Sequence, residues 1–421
     1  MLFLVVYGWT NWFTAQRSDV GTIFFEWERH LPFVPWFIVP YMSIDLLFVA
    51  APFLCRTGEE LRTFVRRIAG TILAAGACFL AFPLRFAFPR PTTGGWLGVF
   101  FDWFRELDAP FNLFPSLHIA LGALLVVTYA RHTRGFLRAA VIGWFVLIWA
   151  SALLTFQHHV MDVVGGFALA GYCFYFIREA QPHLPVVPNR RIGNYYIACA
   201  VVLLTTALFF GPWGAVLLWP VVSLGIIVAA YFGAGPGVFR KRDGVLPWST
   251  CWALGPVLVG QHLSRIYYRR QCSAWNEVTP NVWIGSALRD REAARAIAAG
   301  VTAVLDVTAE FSAPRVFRSV TYRNVQVLDL TAPTTAQLEE MAEFIEEQAQ
   351  RGLVYVHCKI GYSRSAAAVG AWLLRSGRGS DVDEVLAMLR RARPSIVVRP
   401  EVREALEIFC SLPRGRRVSN A

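Results

Sequence analysis

The sequence is poor in charged residues. Only 16% of its 421 residues are charged, whereas 55% are hydrophobic and the mean hydropathy is +0.44. A soluble globular domain carries about 25% charged residues, so this composition excludes both a disordered chain and a single soluble globule. At about 150 residues per domain, the length allows two or three units, and the apolar excess must lie in only some of them.

Lysine and paired cysteines are also scarce. Lys241 and Lys359 are the two lysines, so arginine supplies nearly all of the 40 basic residues. The 8 cysteines are scattered without paired spacing. This distribution indicates neither a disulfide framework nor a zinc cluster.

Eight apolar runs predict a polytopic helical membrane domain. Seven of them approach the length of about 20 residues that spans a bilayer. They cover residues 35–54, 68–88, 113–130, 136–156, 160–177, 195–211 and 215–232. A shorter run at 2–15 lacks the basic start and the cleavage site of a signal peptide, so it is predicted as a tilted first span or one clipped at its start.

The arginines predict the orientation of these spans. They concentrate in alternate loops, at residues 56–67, 131–138, 178–191 and 240–242, and basic loops stay on the cytoplasmic side. Both termini are then cytoplasmic, and the segments near Arg90, Pro115 and Gln157 face outside. The net charge of +11 is thereby explained without nucleic acid. We expect an integral protein of a bacterial inner membrane, with membrane lipids as its surroundings.

The sequence changes character after Phe239, where charged and periodic segments replace the apolar runs. Residues 247–270 mix aromatic and arginine side chains, as in a segment at the membrane surface. From residue 275, short strands alternate with helices, which predicts an α/β domain of ordinary size. We therefore divide the chain into a membrane domain (1–236), an interfacial linker (237–275) and a soluble α/β domain (276–415).

The elements of the soluble domain can be placed from their patterns. Thr334 and Gln337 are spaced as a capping box, and Ser380 is predicted to cap the helix that runs towards Arg393. The other predicted elements are strands at 301–307, 325–330 and 353–357 and helices at 335–350 and 365–376.

One segment of this domain, LVYVHCKIGYSRSAAAVG, places a strand, a short loop and a helix in order. Cys358 ends the strand and Arg364 begins the helix, and the loop between them can turn its N–H groups towards an anion. Such a cradle favours a thiolate at Cys358, and Arg364 can hold two phosphate oxygens. Gly361 permits the turn, and Ser365 can donate to the sulfur. The predicted phosphate-binding loop comprises Lys359, Ile360, Gly361, Tyr362 and Ser363.

These residues resemble the signature of the cysteine-dependent dual-specificity phosphatases. The resemblance implies that Cys358 forms a phosphocysteine and that an upstream aspartate protonates the leaving oxygen. We assign that acid to Asp329, which ends a predicted strand, with Asp306 as the competitor. Family members that act on phosphoinositides and phosphatidylglycerophosphate often carry lysine at the position of Lys359, although a solvated loop lysine is an equal alternative. Tensin-homologue lipid phosphatases carry a second lysine where this chain has Tyr362.

Three polar clusters lie at the predicted outer ends of the spans, where ionisable groups are costly and usually functional. They are FPLRFAFPRP, NLFPSLHIA and SALLTFQHHVMDVVGG. His158 and Asp162 are one helical turn apart, so the carboxylate can orient the imidazole. His118 can protonate a leaving group. The candidate phosphate ligands are Arg85, Arg90 and Ser116.

This arrangement resembles the type 2 phosphatidic acid phosphatase superfamily, especially its lipid phosphotransferase branch. The resemblance implies a phosphohistidine at His158, an orienting Asp162 and an acid at His118. The chain departs from the family where the usual lysine, glycine and arginine are replaced. These replacements are Pro83, Leu117 and Ala152. His159 is an alternative nucleophile, three residues from Asp162 instead of four.

The predicted fold class is thus an α-helical membrane domain of about eight spans followed by a soluble α/β cysteine-phosphatase domain. The predicted function is a bifunctional phosphatase that acts on lipid phosphates at the histidine site and on phosphoprotein or phospholipid at the cysteine site. Neither site needs a metal, and no cofactor is expected. The alternative is a membrane-anchored protein phosphatase whose membrane half is a non-catalytic anchor or lipid sensor. A phosphate-binding regulator fits less well, because Cys358 and Arg364 are both intact.

Overall fold

A computed structural model describes residues 1–107, 111–178 and 184–412 of the chain. The chain forms two compact units, Met1–Ala180 and Gln181–Ala421. Residues 413–415, the end of the predicted soluble domain, lie outside the described residues.

The first unit is built from apolar helices. Its described α-helices are α1 (Leu2–Ala15), α2 (Ile38–Ala50), α3 (Gly58–Ala81), α4 (Gly95–Leu107), α5 (Leu117–His132), α6 (Gly135–Leu154) and α7 (Val160–Phe176). The core lies where α3, α5, α6 and α7 meet, around buried side chains such as Phe79, Leu124 and Ile148. A second small cluster, around Phe101 and Ile119, joins α4 to α5.

Several of the predicted apolar helices are long enough to cross a membrane. Five described helices meet that requirement by length and composition: Pro35–Leu54, Gly58–Ala81, Gly135–Leu154, Arg190–Phe209 and Gly214–Ala234. The runs predicted at 2–15, 113–130 and 160–177 form helices of 14, 16 and 17 residues, shorter than the usual span. The structure thus supports membrane helices, whereas the number eight stays a prediction.

Two details of the first unit differ from the prediction. The α3 helix begins ten residues before the predicted run, because the Thr57 hydroxyl accepts a hydrogen bond from the backbone of Glu60 and caps it. Arg62, Arg66 and Arg67 therefore lie on the helix and not in a loop. The α4 helix was not predicted, because its apolar residues are interrupted by Asp102 and glycines.

The second unit opens with two apolar helices, which we call the terminal hairpin. They are α8 (Arg190–Phe209) and α9 (Leu218–Ala229), and the helical path of α9 continues to Ala234. The backbone N–H of Asn189 donates to the carbonyl of Tyr231 and so joins the two ends of the hairpin. Two further helices follow, α10 (Trp248–Ala253) and α11 (Gly255–Arg269), in the predicted interfacial segment.

The rest of the second unit is an α/β domain around a five-stranded sheet of order β1-β2-β5-β3-β4. The β1–β2 pair is antiparallel and the other pairs are parallel. Helices cover both faces, with α13 to α16 on one side and α12 on the other. The strands are β1 (Trp275–Thr279), β2 (Val282–Ser286), β3 (Val301–Thr308), β4 (Thr321–Val327) and β5 (Leu353–Cys358). The helices are α12 (Asp290–Ala298), α13 (Thr335–Ala349), α14 (Arg364–Arg375), α15 (Val382–Ala392) and α16 (Pro400–Ser411).

The predicted capping box forms, with reciprocal hydrogen bonds between Thr334 and Gln337. The predicted cap at Ser380 is wrong by one residue. Asp381 caps α15, because its carboxylate accepts the N–H of Glu384 at 2.9 Å. The strand predicted at 325–330 ends at Val327, which leaves Asp329 in the following loop.

Candidate active sites

Cys358 lies in a cradle between a strand and a helix. It is the last residue of β5, and Arg364 is the first residue of α14. The backbone N–H of Gly361 donates to Cys358 Sγ at 3.3 Å, and Ser365 Oγ lies 3.4 Å from the same sulfur. Cys358 is 3% exposed, so its thiol sits at the bottom of the loop.

The loop conformation depends on Gly361 and on a buried arginine. Gly361 has a φ of +85°, and a Cβ there would lie 2.6 Å from the carbonyl oxygen of Gly285. Arg393 donates to the carbonyls of Gly361 and Ile360, at 3.0 and 2.9 Å. These bonds turn the carbonyls away from the cradle. Arg393 was missed as a functional residue, because nothing in the sequence distinguishes it from the neighbouring Arg390 and Arg391 at the end of a helix.

The remaining loop residues have different surroundings. Ser363 is the N-cap residue of α14, and Ile360 is buried. The Tyr362 ring lies edge-on to Tyr268, with 6.3 Å between the ring centroids. All five predicted loop residues therefore follow the nucleophile around the cradle, and Tyr362 contacts the segment before the sheet.

The electrostatics of the cradle favour a thiolate. Burial alone would raise the pKa of Cys358, but the Arg364 charge and the hydrogen bonds from Ser365 and Gly361 outweigh it. The pKa of the thiol therefore lies below its ordinary value. A thiolate is the nucleophilic form of cysteine.

Arg364 is buried among carboxylates. It forms a bidentate pair with Glu310, with distances of 2.6 and 3.0 Å, and Nη2 lies 3.2 Å from Asp329 Oδ1. It also donates to the carbonyl of Val327 at 2.8 Å. These contacts hold the pKa of Arg364 well above its ordinary value despite the burial. Glu310 was missed, although its place just after β3 resembles that of Asp329 after β4.

Asp329, the predicted acid, lies beside the nucleophile loop. Its Oδ2 accepts from Lys359 Nζ at 3.3 Å, and Lys359 also donates to Gln261 of α11 at 2.6 Å. Burial would raise the pKa of Asp329, but Arg364 and Lys359 hold it below its ordinary value. Lys359 is therefore a buried, paired cation, not the solvated loop lysine of the alternative interpretation.

Asp306, the competing acid, has a different environment. It is buried, and Lys241 Nζ and the Tyr322 hydroxyl donate to its Oδ2 at 2.6 and 2.7 Å. The backbone N–H and the hydroxyl of Thr308 both donate to Asp306 Oδ1. Burial would raise the pKa of Asp306, but the Lys241 charge and the hydrogen bonds from Lys241 and Tyr322 hold it far below its ordinary value. A carboxylate held in this way is a poor proton donor.

In the first unit, His158 lies just before α7 and faces Asp162 in the first turn of that helix. His158 Nδ1 lies 3.7 Å from Asp162 Oδ2, which is longer than a hydrogen bond. The same carboxylate oxygen accepts the backbone N–H of His159 at 2.7 Å. The Asp162 carbonyl accepts the N–H of Ser116 at 2.9 Å, which joins the two histidine-bearing segments.

His118 and Ser116 lie at the start of α5. Ser116 is fully buried and caps the helix, because its Oγ accepts the N–H of Ile119 at 3.3 Å. The His118 ring stacks on Tyr41 with 4.0 Å between the ring centroids. Within residues 1–107 and 111–178, His118 Nε2 and His158 Nδ1 have no hydrogen-bond partner. The predicted acid and nucleophile thus each keep an unpaired ring nitrogen.

Both ring nitrogens of His159, the alternative nucleophile, are engaged by neighbouring groups. Its Nε2 accepts the backbone N–H of Ala87 at 3.1 Å, and its Nδ1 lies 2.9 Å from Glu28 Oε2. The proton must then be on Nδ1, so that neither nitrogen has a free lone pair for attack. Glu28 is 1% exposed. The structure therefore favours His158 over His159.

Arg85 and Arg90 line one cleft of about 630 Å³ with a third arginine, Arg29. Phe86 and Phe88 supply part of its apolar wall. Three guanidinium groups on a half-apolar cleft suit an anionic headgroup with an acyl chain. His118 and His158 are not among the described residues that line it, and Ala87 links the cleft to His159. Arg29 was missed, because it stands outside the three polar clusters.

Comparison with known proteins finds a matching family model for a segment of each unit. Residues 282–409 match the family model "Dual specificity phosphatase, catalytic domain", and residues 28–176 match that of the PAP2 superfamily. The mouse "Phosphatidylglycerophosphatase and protein-tyrosine phosphatase 1" is 37% identical over 98 residues, which are 23% of this chain and 50% of the relative. Mouse "Dual specificity protein phosphatase 19" is 37% identical over 93 residues, 21% of this chain and 41% of the relative.

The chain thus spans half or less of the length of these two curated relatives. A crystal structure of PTPMT1 aligns with 27% identity and a TM-score of 0.30, over 32% of this chain and 92% of that chain. Residues 28–176 are thus similar to the PAP2 superfamily and residues 282–409 to dual-specificity phosphatase catalytic domains, in agreement with the predicted fusion.

Proposed function

We propose that this chain is a bifunctional membrane phosphatase. One site, at Cys358, hydrolyses phosphomonoesters, and the other, at His158, hydrolyses lipid phosphates or transfers their phosphoryl group. The observation that carries the proposal is the cradle in which Gly361 and Ser365 bond to the Cys358 sulfur beside Arg364. The domain boundaries at residues 236 and 275 remain predictions.

At the cysteine site, the thiolate attacks phosphorus and the bond to the ester oxygen breaks. Arg364 and the loop N–H groups bind the phosphoryl oxygens, and Asp329 gives its proton to the leaving oxygen. A bound phosphate competes with Asp329 for Arg364, which releases the carboxyl to hold a proton. Water, deprotonated by Asp329, then displaces phosphate from the phosphocysteine while Ser365 stabilises the returning thiolate.

The substrate of this site is a phosphoprotein or a phospholipid. The printed name of the mouse relative covers both kinds of substrate. Lys359, paired with Asp329 and Gln261 beside the nucleophile, provides a second cation that a phosphorylated headgroup with more than one anionic group can use.

At the histidine site, His158 attacks phosphorus to form a phosphohistidine, Asp162 orients it and His118 protonates the leaving oxygen. The unpaired Nε2 of His118 supports its role as the acid, and Arg29, Arg85 and Arg90 attract the anionic substrate. We place this site at the outer face of a bacterial inner membrane and the cysteine site in the cytoplasm. The support is the distribution of the arginines across the predicted loops.

One observation favours the alternative, in which the membrane part is an anchor or a lipid sensor. The separation of 3.7 Å between His158 and Asp162 is long for an orienting hydrogen bond. The arginine cleft would then bind lipid without chemistry.

Single variants of the full-length chain in detergent test the proposal. Cys358→Ser should abolish hydrolysis of p-nitrophenyl phosphate, and His158→Ala should abolish phosphate release from phosphatidic acid. His159→Ala is the matched control for loss of an imidazole. Unchanged lipid turnover in His158→Ala would favour the anchor, and turnover of both substrates in the double variant would reject the proposal.

A further inference from the structure

The loop that carries Asp329 is held by the terminal hairpin. The Tyr231 hydroxyl, from the extension of α9, donates to the carbonyl of Asp329 at 2.7 Å. The Asn189 side-chain amide, at the start of α8, donates to the carbonyl of Leu330 at 2.8 Å. Two consecutive carbonyls of the loop are thus bonded to side chains from two helices that are long and apolar enough to cross a membrane.

These two donors form one connected unit. The Asn189 backbone N–H donates to the Tyr231 carbonyl at 3.1 Å, and its side-chain oxygen accepts the N–H of Ile192 and caps α8. The hairpin ends therefore cannot move independently of each other without breaking this bond.

The loop needs such support, because its backbone is strained. Leu330 has a φ of +61°, a left-handed conformation that costs a non-glycine residue about 1–2 kcal/mol. Strained residues persist where the surrounding structure holds them in place. Within the loop itself, Thr331 adds a side-chain hydrogen bond to the carbonyl of Leu328.

The terminal hairpin also covers the side of the cysteine site on which Asp329 lies. Tyr231 and Gln261 line a cavity of about 10 Å³ together with Glu310 and Asp329, room for about one water molecule. The hairpin therefore covers one side of Asp329, whose side chain remains 23% exposed.

We infer that Tyr231 and Asn189 are positioning residues that hold Asp329 in place for proton transfer, so that the cysteine phosphatase depends on the terminal hairpin. The inference rests on the proposed function of Cys358 and Asp329. Neither residue touches the reacting atoms. They act on the backbone of the acid loop, and a small displacement of a catalytic group strongly lowers the rate.

Two variants remove one donor each and keep the rest of the structure. Tyr231→Phe keeps the ring, and Asn189→Asp keeps the oxygen that caps α8. Tyr267→Phe, at an exposed tyrosine of α11, is the matched control. The full-length chain is assayed with p-nitrophenyl phosphate, whose leaving group needs little protonation, and with glycerol 3-phosphate, whose alkoxide needs the acid.

We expect each variant to lower kcat for glycerol 3-phosphate about tenfold and to leave kcat for p-nitrophenyl phosphate and both KM values within about twofold. In an Asp329→Asn background, Tyr231→Phe should cause no further loss. Equal losses on both substrates, a further loss in that background, or no loss at all would overturn the inference. Cys358→Ser tests the proposed function separately from this inference, because it should remove turnover of both substrates.

Discussion

At the scale of single residues, the charged groups of the cysteine site are paired with one another in the absence of substrate. Glu310 and Asp329 neutralise Arg364, and Lys359 lies against Asp329. A phosphate dianion can replace Asp329 at Arg364, since its oxygens match the guanidinium geometry. The rate of the reaction then depends on the proton that Asp329 holds.

The depressed pKa of Asp329 predicts an acidic pH optimum. A general acid works in its protonated form, so kcat/KM should fall as the pH rises through this pKa, which lies below the ordinary carboxyl value. The lowered pKa of Cys358 extends the thiolate form to a lower pH than an ordinary cysteine allows. Asp329→Asn should lower kcat for alkyl phosphates about 10²- to 10⁴-fold. It should also remove the descending limb of the pH–rate profile, that is, the fall of kcat/KM at higher pH.

The matched control for this variant is Asp383→Asn, at a carboxylate paired with Arg403 on the surface. It should keep the wild-type profile. A descending limb that persists in Asp329→Asn would mean that another group supplies the proton.

At the scale of elements, the parts of the site that are continuous in sequence were predictable. The strand, the loop and the helix around Cys358 follow one another, and the capping box of α13 spans four residues. The partners that complete the site come from far along the chain. Glu310 is 54 residues from Arg364, and Arg393 is 32 from Gly361. No local pattern indicates such pairs, because tertiary packing alone brings them together.

Lys241 is another example at this scale, because it ties the segment after the terminal hairpin to the end of β3. The sequence placed it among the cytoplasmic charges, but its Nζ is buried and paired with Asp306, 65 residues away. The carbonyl of Lys241 also accepts from Gln326 of β4 at 3.0 Å. The interfacial segment is thus part of the fold of the second unit.

Lys241→Met should destabilise the second unit by about 3–5 kcal/mol at neutral pH, because it leaves the Asp306 carboxylate buried without its cation. The double variant Lys241→Met/Asp306→Asn should recover part of the loss. Arg291→Met, at an exposed arginine, is the control. Thermal unfolding in detergent measures each change in the free energy of unfolding.

The pH dependence of this effect follows from the depressed pKa of Asp306. The ion pair contributes fully above the unfolded carboxyl pKa of about 4, and its contribution is lost as the pH falls towards the folded value. The difference between wild type and Lys241→Met should therefore shrink below that pH. A difference that is constant with pH would argue against the ion pair as its cause.

At the scale of the whole molecule, the two candidate sites share no residue. The histidine site lies in Met1–Ala180 and the cysteine site in Gln181–Ala421. The apolar helices of the second unit belong with the phosphatase domain through Tyr231, Asn189 and Lys241. These helices and the α/β domain therefore belong to one unit.

Phosphate release from phosphatidic acid and from p-nitrophenyl phosphate, measured for wild type, Cys358→Ser, His158→Ala and the double variant, tests the central claim most directly. Two independent sites predict that each single variant loses one activity by at least about 10³-fold and keeps the other, and that the double variant loses both. A single variant that loses both activities, or a double variant that keeps either, would contradict the account.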